Sequence, residues 1–301
     1  MRLTMILFCL MLGLGTFAAD PPAAKPPTMA ELLAGSQAED WRRLDPENTL
    51  YLELPTGRVI IELAPDFAPA HVANVKALAR ERYYDGLAIV RSHDNYVVQL
   101  GDPDAENQTK ARKIQRAKRT LPPEFETTGD PKMAFTPLGD RDVYAPETGF
   151  CGGFPVARDT NSGKVWLVHC YGMVGAGRDA DINSGGGPEL YVVTGHSPRH
   201  LDRNVTLFGR VIKGIELLSA LPRGTGALGF YEKPEQRLKI KSVRVAADLP
   251  ASELTRIEVL RTERPLFQSL IAARRHRSEP WFHIQAGHVE ICNVPIPTRP
   301  N

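Results

Sequence analysis

The sequence lacks three features that would point to particular classes of protein. Beyond its first 20 residues, no stretch of the 301-residue chain is long and apolar enough to cross a bilayer. Its 37 Lys and Arg residues nearly balance 35 Asp and Glu residues, so no charge excess indicates a nucleic-acid binder. The four cysteines form no Cys-x-x-Cys pair and no regular group with histidine. We therefore expect no nucleic-acid partner, no membrane span in the mature chain and no zinc site.

The first 18 residues have the pattern of a secretory signal peptide. Arg2 supplies a positive charge, residues 5–14 form an apolar run, and small residues at 15–18 suit a cleavage site. The run is short for a membrane span and no stop-transfer pattern follows it, which disfavours the alternative of an uncleaved anchor. We expect cleavage after Ala18 and a secreted protein. The short leader and compact chain favour the periplasm of a bacterium.

Three cysteines remain after cleavage, namely Cys151, Cys170 and Cys292. Because an exported protein meets an oxidising compartment, one disulfide and one free thiol form the simplest arrangement. The sequence alone does not assign the pair. We favour Cys151 with Cys170, since they flank one stretch of chain and closing that loop would stabilise it by about 3 kcal/mol in the chain-entropy model.

Residues 19–48 predict a linker followed by a short helix. The stretch 20–27 is mostly Pro and Ala, which is typical of an extended linker. Thr28 and Glu31 then form a capping box ahead of two leucines, which predicts the start of a helix. We expect this helix to pack on the domain that follows.

The pattern over residues 49–249 predicts a mainly β domain. Two β-rich runs separated by Pro-Thr-Gly at 55–57 indicate a hairpin, and Pro69 opens a helical pattern that ends near Arg82. A second helical run covers 215–221. The β-rich runs lie at 50–54, 59–63, 87–90, 96–100, 165–169, 190–193, 205–211 and 239–245. Many short strands with two clear helices and no regular βα alternation favour an antiparallel barrel or sandwich.

Two segments depart from that pattern. Residues 103–163 are rich in Gly, Pro and Asp, so we interpret them as an insertion rather than core. Their stretch 110–119 carries six basic residues, for which a solvated helix face is favoured over a site for an anionic partner. Residues 250–301 form a C-terminal extension, in which the apolar spacing across 254–260 and the run 266–273 predict helices.

One motif has a familiar meaning that its context excludes. Gly224, Gly226 and Gly229 follow the Gly-x-Gly-x-x-Gly spacing of dinucleotide-binding loops. Such a loop needs a preceding strand and a following helix, whereas here a helical run precedes it and Pro234 follows soon after. We therefore expect no nucleotide cofactor.

Four blocks of sequence resemble cyclophilins, and they occur in the order found in that family. The first is Ala-Pro-x-x-Val-x-Asn-x-x-x-Leu at 68–78, directly after the hairpin. The second, at 90–102, has an Arg followed five residues later by Tyr and eight residues later by Gln, before Gly-Asp. The third, at 189–194, resembles the strand that supplies the aromatic floor of the family's proline pocket. The fourth, at 201–211, resembles the segment that closes the pocket and returns to the sheet.

The resemblance implies a peptidyl-prolyl cis-trans isomerase. Its fold would be a closed antiparallel β-barrel of about eight strands capped by two helices, covering residues 49–249, with helical extensions at both ends. Arg91 and Gln99 match the family's catalytic Arg and Gln. The residues at the family's substrate-binding positions are Tyr96, Val97, Tyr191, Leu201, His200 and Val205.

The reaction itself explains these residue types. Rotation about an X-Pro amide bond is slow, with a barrier of about 18–20 kcal/mol, because nitrogen donates its lone pair to the carbonyl. A permanently charged Arg91 near the prolyl nitrogen competes for that lone pair and favours the twisted transition state. Gln99 holds the substrate carbonyl or the Arg in position, while an apolar wall grips the pyrrolidine ring. We expect proline-containing polypeptides as substrates and no requirement for a cofactor, metal or covalent nucleophile.

Four positions depart from the family pattern. His200 stands where many members have Trp, Val205 where the usual pocket His lies, Val97 where Met lies, and Glu189 where a second Gln lies. Because the catalytic Arg and first Gln are retained, the pattern favours an isomerase with an altered pocket wall. The alternative is a non-catalytic module of the same fold that holds proline-containing segments as a chaperone. A proline-limited refolding assay separates the two.

Overall fold

The computed structural model describes residues 25–129 and 133–301. The expected signal peptide at 1–18 lies outside these residues. The described chain is mainly β, as the sequence predicts, with sixteen strands in three sheets and four α-helices. Among its helices, none is both long enough and apolar enough to span a bilayer.

Helices are few and strands are short in the described chain. The α-helices are α1 (Met29–Ala34), α2 (Pro69–Arg80), α3 (Ile215–Ser219) and α4 (Pro265–Arg275). The strands are β1 (Trp41–Arg43), β2 (Thr49–Leu54), β3 (Gly57–Leu63), β4 (Ala88–Ser92), β5 (Val97–Gly101), β6 (Thr127–Thr128), β7 (Phe135–Pro137), β8 (Glu147–Cys151), β9 (Phe154–Asp159), β10 (Lys164–Leu167), β11 (Met173–Ala176), β12 (Leu190–Val193), β13 (Leu207–Lys213), β14 (Ser242–Val245), β15 (Ile257–Leu260) and β16 (Thr298–Pro300). A short 3-10 helix, Arg199–Leu201, lies beside the candidate site.

The largest sheet has eight antiparallel strands in the order β14-β2-β3-β13-β11-β12-β5-β4. Its edge strands β14 and β4 are joined through the chain just ahead of β14. There the Ile89 amide donates to the Leu238 carbonyl at 2.9 Å, and the Ile240 amide donates to the Leu87 carbonyl at 2.7 Å. The predicted eight-stranded antiparallel sheet is confirmed in a curled form, whereas the expected closed barrel is not, because β14 and β4 do not pair with each other directly.

Strands in the middle of this sheet are buried on both faces. In β12, Leu190 and Val192 face one apolar core, whereas Tyr191 and Val193 face a second. Successive side chains of a strand alternate between faces, so burial of both faces produces an unbroken apolar run in the sequence. The candidate site lies on the face that carries Tyr191.

The local signals near the start of the chain are reproduced in the structure. Thr28 caps α1, because its hydroxyl accepts a hydrogen bond from the Glu31 amide while the Glu31 carboxylate accepts one from the Thr28 amide. β2 and β3 form the expected hairpin. α2 begins at Pro69, and proline is tolerated there because a backbone amide at the first position of a helix makes no hydrogen bond within the helix. The helix ends at Arg80, two residues before the expected end.

The predicted insertion forms a second sheet with buried apolar side chains of its own. Its five antiparallel strands have the order β6-β10-β9-β8-β7. Phe150 and Trp166 are buried, and the Phe150 ring packs edge to face on Phe267 of α4. The interpretation that this segment lies outside the core is therefore wrong. The strand expected at 165–169 is present as β10 and belongs to this second sheet.

Glycines in the turns explain why the second sheet was not recognised. Gly152 and Gly153 join β8 to β9 with φ angles of 58° and 89°. Side chains strongly disfavour this left-handed region, so a tight turn between short strands selects glycine. Long loops and sets of short hairpins are both rich in turn residues such as glycine, so composition alone does not distinguish them.

The basic segment does not form the expected helix. Residues 110–119 form irregular chain beside α2. The Arg116 amide donates to the Glu81 carboxylate at 2.8 Å, and the Lys118 amide donates to the Asn74 side-chain oxygen at 2.8 Å. Side chains of the α2 region accept these backbone hydrogen bonds, so the amides do not need the hydrogen bonds that a helix would provide.

The two ends of the described chain form a third sheet together. β15 pairs with β1 on one side and with β16 on the other. α1 packs on α4 beside this sheet. The helix predicted at 266–273 is confirmed as α4. The helical prediction for 254–260 is wrong, because strand partners on both sides hold this part of the chain extended as β15.

The disulfide joins Cys170 to Cys292, and Cys151 is a free, buried thiol. The expected pair of Cys151 with Cys170 is wrong. That prediction weighed nearness along the chain, whereas the C-terminal extension folds back to bring together two cysteines 122 residues apart. Burial raises the pKa of the Cys151 thiol to about 11, so it is protonated and unreactive at neutral pH.

Candidate active site

Three neighbouring strands place the candidate residues in one row. Gln99 on β5 lies opposite Arg91 of β4 on one side and opposite Tyr191 of β12 on the other. Residues directly opposite each other share a face of the sheet, so these three side chains lie together. A register shift at Val90 brings Arg91 opposite Gln99, and such bulges commonly re-aim a side chain beside a functional site.

Arg91 is the cation of this row. Its Nη1 donates to Gln99 Oε1 at 3.3 Å, and its Nε donates to the Leu228 carbonyl at 2.6 Å. The guanidinium carbon lies 5.6 Å from the ring centre of Tyr96 and 5.2 Å from that of Phe230. Partial burial lowers the pKa of Arg91, but an arginine remains protonated at any physiological pH. The site therefore holds a fixed positive charge between two aromatic rings.

Glu189 sets the orientation of the Gln99 amide. Gln99 Nε2 donates to Glu189 Oε2 at 2.5 Å. A carboxylate only accepts hydrogen bonds, so the amide nitrogen faces Glu189 and the amide oxygen faces Arg91. Burial raises the pKa of the Glu189 carboxyl, against the opposing effect of the Gln99 hydrogen bond. A polar chain thus runs from the cation through one amide to a carboxylate.

The Tyr191 ring forms the floor of the site. Its partner across the β11 pairing is Gly175. A Cβ atom at residue 175 would lie 2.4 Å from the Tyr191 hydroxyl, so the ring occupies the space of the missing side chain. The hydroxyl oxygen is 2.8 Å from Nε2 of His169, a fully buried side chain. This histidine was not predicted from the sequence.

These side chains line a cavity of about 820 Å³. The structure brings together seven of the predicted site residues there, namely Arg91, Gln99, Tyr96, Val97, Tyr191, Leu201 and Val205. His200 instead lies on a neighbouring cavity of about 600 Å³, together with Trp166. Successive side chains of the 3-10 helix Arg199–Leu201 point in different directions, so Leu201 faces the first cavity while His200 is exposed on the other side.

A loop at residues 224–231 also contributes to the cavity, which was not predicted from the sequence. Leu228 and Phe230 of this loop contact the cation, as described above. Gly229 has a φ of 79°, and a Cβ atom there would lie 2.6 Å from His93 Cα. The Gly-x-Gly-x-x-Gly spacing was the available signal, because glycines allow this loop to pack tightly on the β4–β5 hairpin.

Comparison with known proteins gives a consistent set of relatives. The family model described as cyclophilin type peptidyl-prolyl cis-trans isomerase matches residues 49–245. This range begins with the first residue of β2 and ends with the last residue of β14. The matched range therefore spans the eight-stranded sheet and includes the second sheet within it.

Individual relatives agree with the family match. A probable peptidyl-prolyl cis-trans isomerase of Brucella suis is 28% identical over 196 residues, which cover 65% of this chain and 82% of the relative. A putative thylakoid lumen peptidyl-prolyl cis-trans isomerase of Synechocystis is 27% identical over 165 residues, covering 52% of this chain and 39% of the relative. The crystal structure of a cyclophilin from Hirschia baltica matches with a TM-score of 0.70 and 27% identity, covering 91% of this chain and 97% of that chain. This structural match extends well beyond residues 49–245.

Proposed function

Because the chain belongs to the cyclophilin-type peptidyl-prolyl cis-trans isomerase family, we propose that it isomerises X-Pro bonds of exported polypeptides at the cavity that contains Arg91. The row of Arg91, Gln99 and Tyr191 across three strands carries this proposal. It sets a fixed cation beside an amide and above an aromatic floor, on one face of a rigid sheet.

Arg91 is the proposed catalytic donor. In the planar amide the nitrogen lone pair is shared with the carbonyl, whereas in the twisted form it is localised on nitrogen. A guanidinium near that nitrogen therefore attracts the twisted form more strongly than either planar form, which lowers the barrier. No covalent bond forms or breaks, so catalysis requires only that the site bind the twisted amide more tightly than the planar forms.

Gln99 is proposed to keep this donor in place. Its amide oxygen accepts from Arg91 Nη1, and its amide nitrogen is held by Glu189. These contacts favour the role of holding the arginine over that of holding the substrate carbonyl. The proposed apolar contacts with the pyrrolidine ring come from Tyr96, Val97, Leu201 and Val205, with Tyr191 beneath.

The direct test is an isomerisation assay with the peptide Ala-Ala-Pro-Phe, together with the refolding of a protein whose slow step is proline isomerisation. We expect acceleration of both by the wild-type chain. A rate equal to that in buffer, with peptide binding preserved, would instead support a non-catalytic module that holds proline-containing segments.

Export to the periplasm is part of the same proposal. Three observations support it: the signal-like pattern of the first 18 residues, the disulfide, and a relative named for the thylakoid lumen. We infer a mature chain in which residues 49–249 form the isomerase domain and 250–301 the C-terminal extension. N-terminal sequencing of protein from a periplasmic extract should begin at Ala19. A chain that retains Met1 there would contradict cleavage.

A further inference from the structure

The cavity floor is held by buried polar contacts that the proposed reaction does not itself require. The Tyr191 hydroxyl lies 2.8 Å from His169 Nε2, and the two rings are parallel within 4°. Oδ1 of Asp202 lies 2.9 Å from His169 Nδ1 and also accepts the His169 backbone amide at 2.9 Å. His169 is therefore fixed at its backbone and at both ring nitrogens.

The partners of His169 define where its proton lies. The other Asp202 oxygen accepts from Arg199 Nε at 2.6 Å, so Asp202 is a carboxylate that only accepts. Nδ1 of His169 must then carry the hydrogen, which leaves Nε2 to accept from the Tyr191 hydroxyl. Burial lowers the pKa of His169 more than Asp202 raises it, in agreement with a neutral ring. The hydroxyl hydrogen thus points at one nitrogen, which restricts rotation of the Tyr191 ring.

Contacts from outside the eight-stranded sheet hold this histidine in turn. Arg199 is buried and donates to both carboxylate oxygens of Asp142, at 3.0 and 3.1 Å, and to Glu290 at 3.4 Å. Asp142 belongs to the predicted insertion and Glu290 to the C-terminal extension. Cys170, the next residue after His169, is bonded to Cys292 of that same extension. Both additions to the isomerase domain therefore meet at Arg199, which is linked to His169 through Asp202.

We propose that His169 is a positioning residue that fixes the Tyr191 ring as the floor beneath the substrate proline, and that the insertion and C-terminal extension act on the site through it. This inference rests on the proposed function. His169 is buried behind the ring, so it acts through the hydroxyl and not on the substrate. A fixed floor contacts the prolyl ring equally well whether the amide bond is planar or twisted, so loss of that fixed position raises KM and leaves kcat nearly unchanged.

Tyr191→Phe is the central test, because it removes the hydroxyl and keeps the ring. We expect KM for Ala-Ala-Pro-Phe to rise about threefold to tenfold, the effect of losing one hydrogen bond, with kcat nearly unchanged. The matched control is Tyr51→Phe. Tyr51 is a buried tyrosine away from the cavity, and its hydroxyl accepts from the Thr255 amide at 3.0 Å. Both kinetic constants should stay at wild-type values in that variant.

Two variants of His169 separate its two contacts. In His169→Asn the shorter amide can still donate to Asp202 but does not reach Tyr191, so KM should rise as in Tyr191→Phe. In His169→Gln the longer amide reaches the hydroxyl, so KM should return toward the wild-type value. Combining His169→Asn with Tyr191→Phe should raise KM no further than either alone, because both remove the same contact. A merely structural histidine would give additive effects.

The outcomes distinguish this inference from the proposed function. Wild-type KM in Tyr191→Phe, or additive effects in the double variant, would overturn the positioning role. If the His169 variants do not fold, Tyr191→Phe alone decides. If the wild-type chain does not accelerate isomerisation at all, the proposed function fails. The Kd of Ala-Ala-Pro-Phe for the wild type and Tyr191→Phe then decides, with a rise of at least threefold in support and no change against.

Discussion

The rim and the floor of the cavity are built in different ways. The rim, as we define it, consists of Arg91, Gln99 and Glu189, which form a chain of side-chain hydrogen bonds along the cavity. The floor consists of Tyr191 and His169, which are buried and are linked through Asp202 to contacts from the predicted insertion and the C-terminal extension. Pairing of β4 with β5 thus brings Arg91 to Gln99 at the rim, whereas contacts from outside the eight-stranded sheet hold the floor.

This difference separates the chemistry of the site from its shape. A group that stabilises the twisted amide must contact the substrate directly. Arg91 suits this role, because its hydrogen-bond partners are an amide oxygen and a backbone carbonyl rather than a carboxylate. A surface that grips a ring must resist movement, which suits a buried side chain with satisfied hydrogen bonds. Changes at Arg91 should therefore alter rate more than stability, and changes beneath the floor should alter stability and binding more than rate.

Replacement of Arg91 by Ala should have the largest effect on rate. We expect a loss of about 2.7–4 kcal/mol in barrier stabilisation, or roughly a hundredfold to a thousandfold in kcat, if Arg91 behaves like other single preorganised donors. Peptide affinity and thermal unfolding should stay near wild type, because the partners of the guanidinium are an amide oxygen and a carbonyl. Wild-type turnover in Arg91→Ala would place the active site elsewhere.

Arg91→Lys tests whether charge alone is enough at the rim, because it keeps the positive charge and removes the planar guanidinium. An ammonium cannot contact Gln99 and Leu228 in the geometry of a guanidinium, so it should restore only part of the rate. Full recovery would mean that charge alone matters at the rim. Both variants can be compared by single-turnover isomerisation of Ala-Ala-Pro-Phe at one pH.

Removal of the disulfide, which lies next to His169, should affect the floor rather than the rim. In the double variant Cys170→Ser, Cys292→Ser the free energy of unfolding should fall by about 2–4 kcal/mol, because a long loop is no longer closed in the unfolded chain. The kcat of the folded fraction should remain close to wild type, since the rim does not contact this bond. Urea unfolding and the isomerisation assay on the same samples measure the two effects.

Cys151 provides the control for that experiment. Cys151→Ala removes a buried thiol that forms no disulfide, so its cost should be that of a small core substitution and should not change on reduction. In the oxidised native protein no thiol should react with iodoacetamide at neutral pH, because burial holds the Cys151 thiol protonated. Rapid modification of two cysteines without reductant would contradict the Cys170–Cys292 bond.

Local signals explain how much of the rim could be predicted from the sequence. The capping box at Thr28, the turn at 55–57 and the proline at the start of α2 act within a few residues, so a single sequence contains them completely. Two of the three rim residues share this property, because Arg91 and Gln99 belong to one hairpin and keep the family spacing. The second contact of Arg91, with the loop at 224–231, was missed because it depends on packing between distant segments.

The floor and the additional sheets could not be predicted for the same physical reason. His169 becomes part of the site only when its neighbours along the chain, the 3-10 helix and the C-terminal extension are packed together. The pairing of Cys170 with Cys292 and the joining of β1 to β15 likewise depend on where the chain returns. Apolar spacing also failed at 254–260, where strand pairing overrode a helical pattern.

Glu189 lies where the rim meets the floor strand, and its replacement should have the smallest effect. Burial raises the folded-state pKa of Glu189 above its ordinary value, so the native protein binds this proton more tightly than the unfolded chain does. Ionisation therefore destabilises the fold at neutral pH, and that cost disappears as the pH falls through the raised pKa.

Glu189→Gln should raise the free energy of unfolding by less than about 1 kcal/mol at neutral pH, with the gain shrinking toward acid pH. The new amide can still accept from Gln99, so kcat should fall only slightly. Urea unfolding of both proteins from about pH 5 to pH 8 tests this, and a difference that does not change with pH would show that the charge of Glu189 is not its cause.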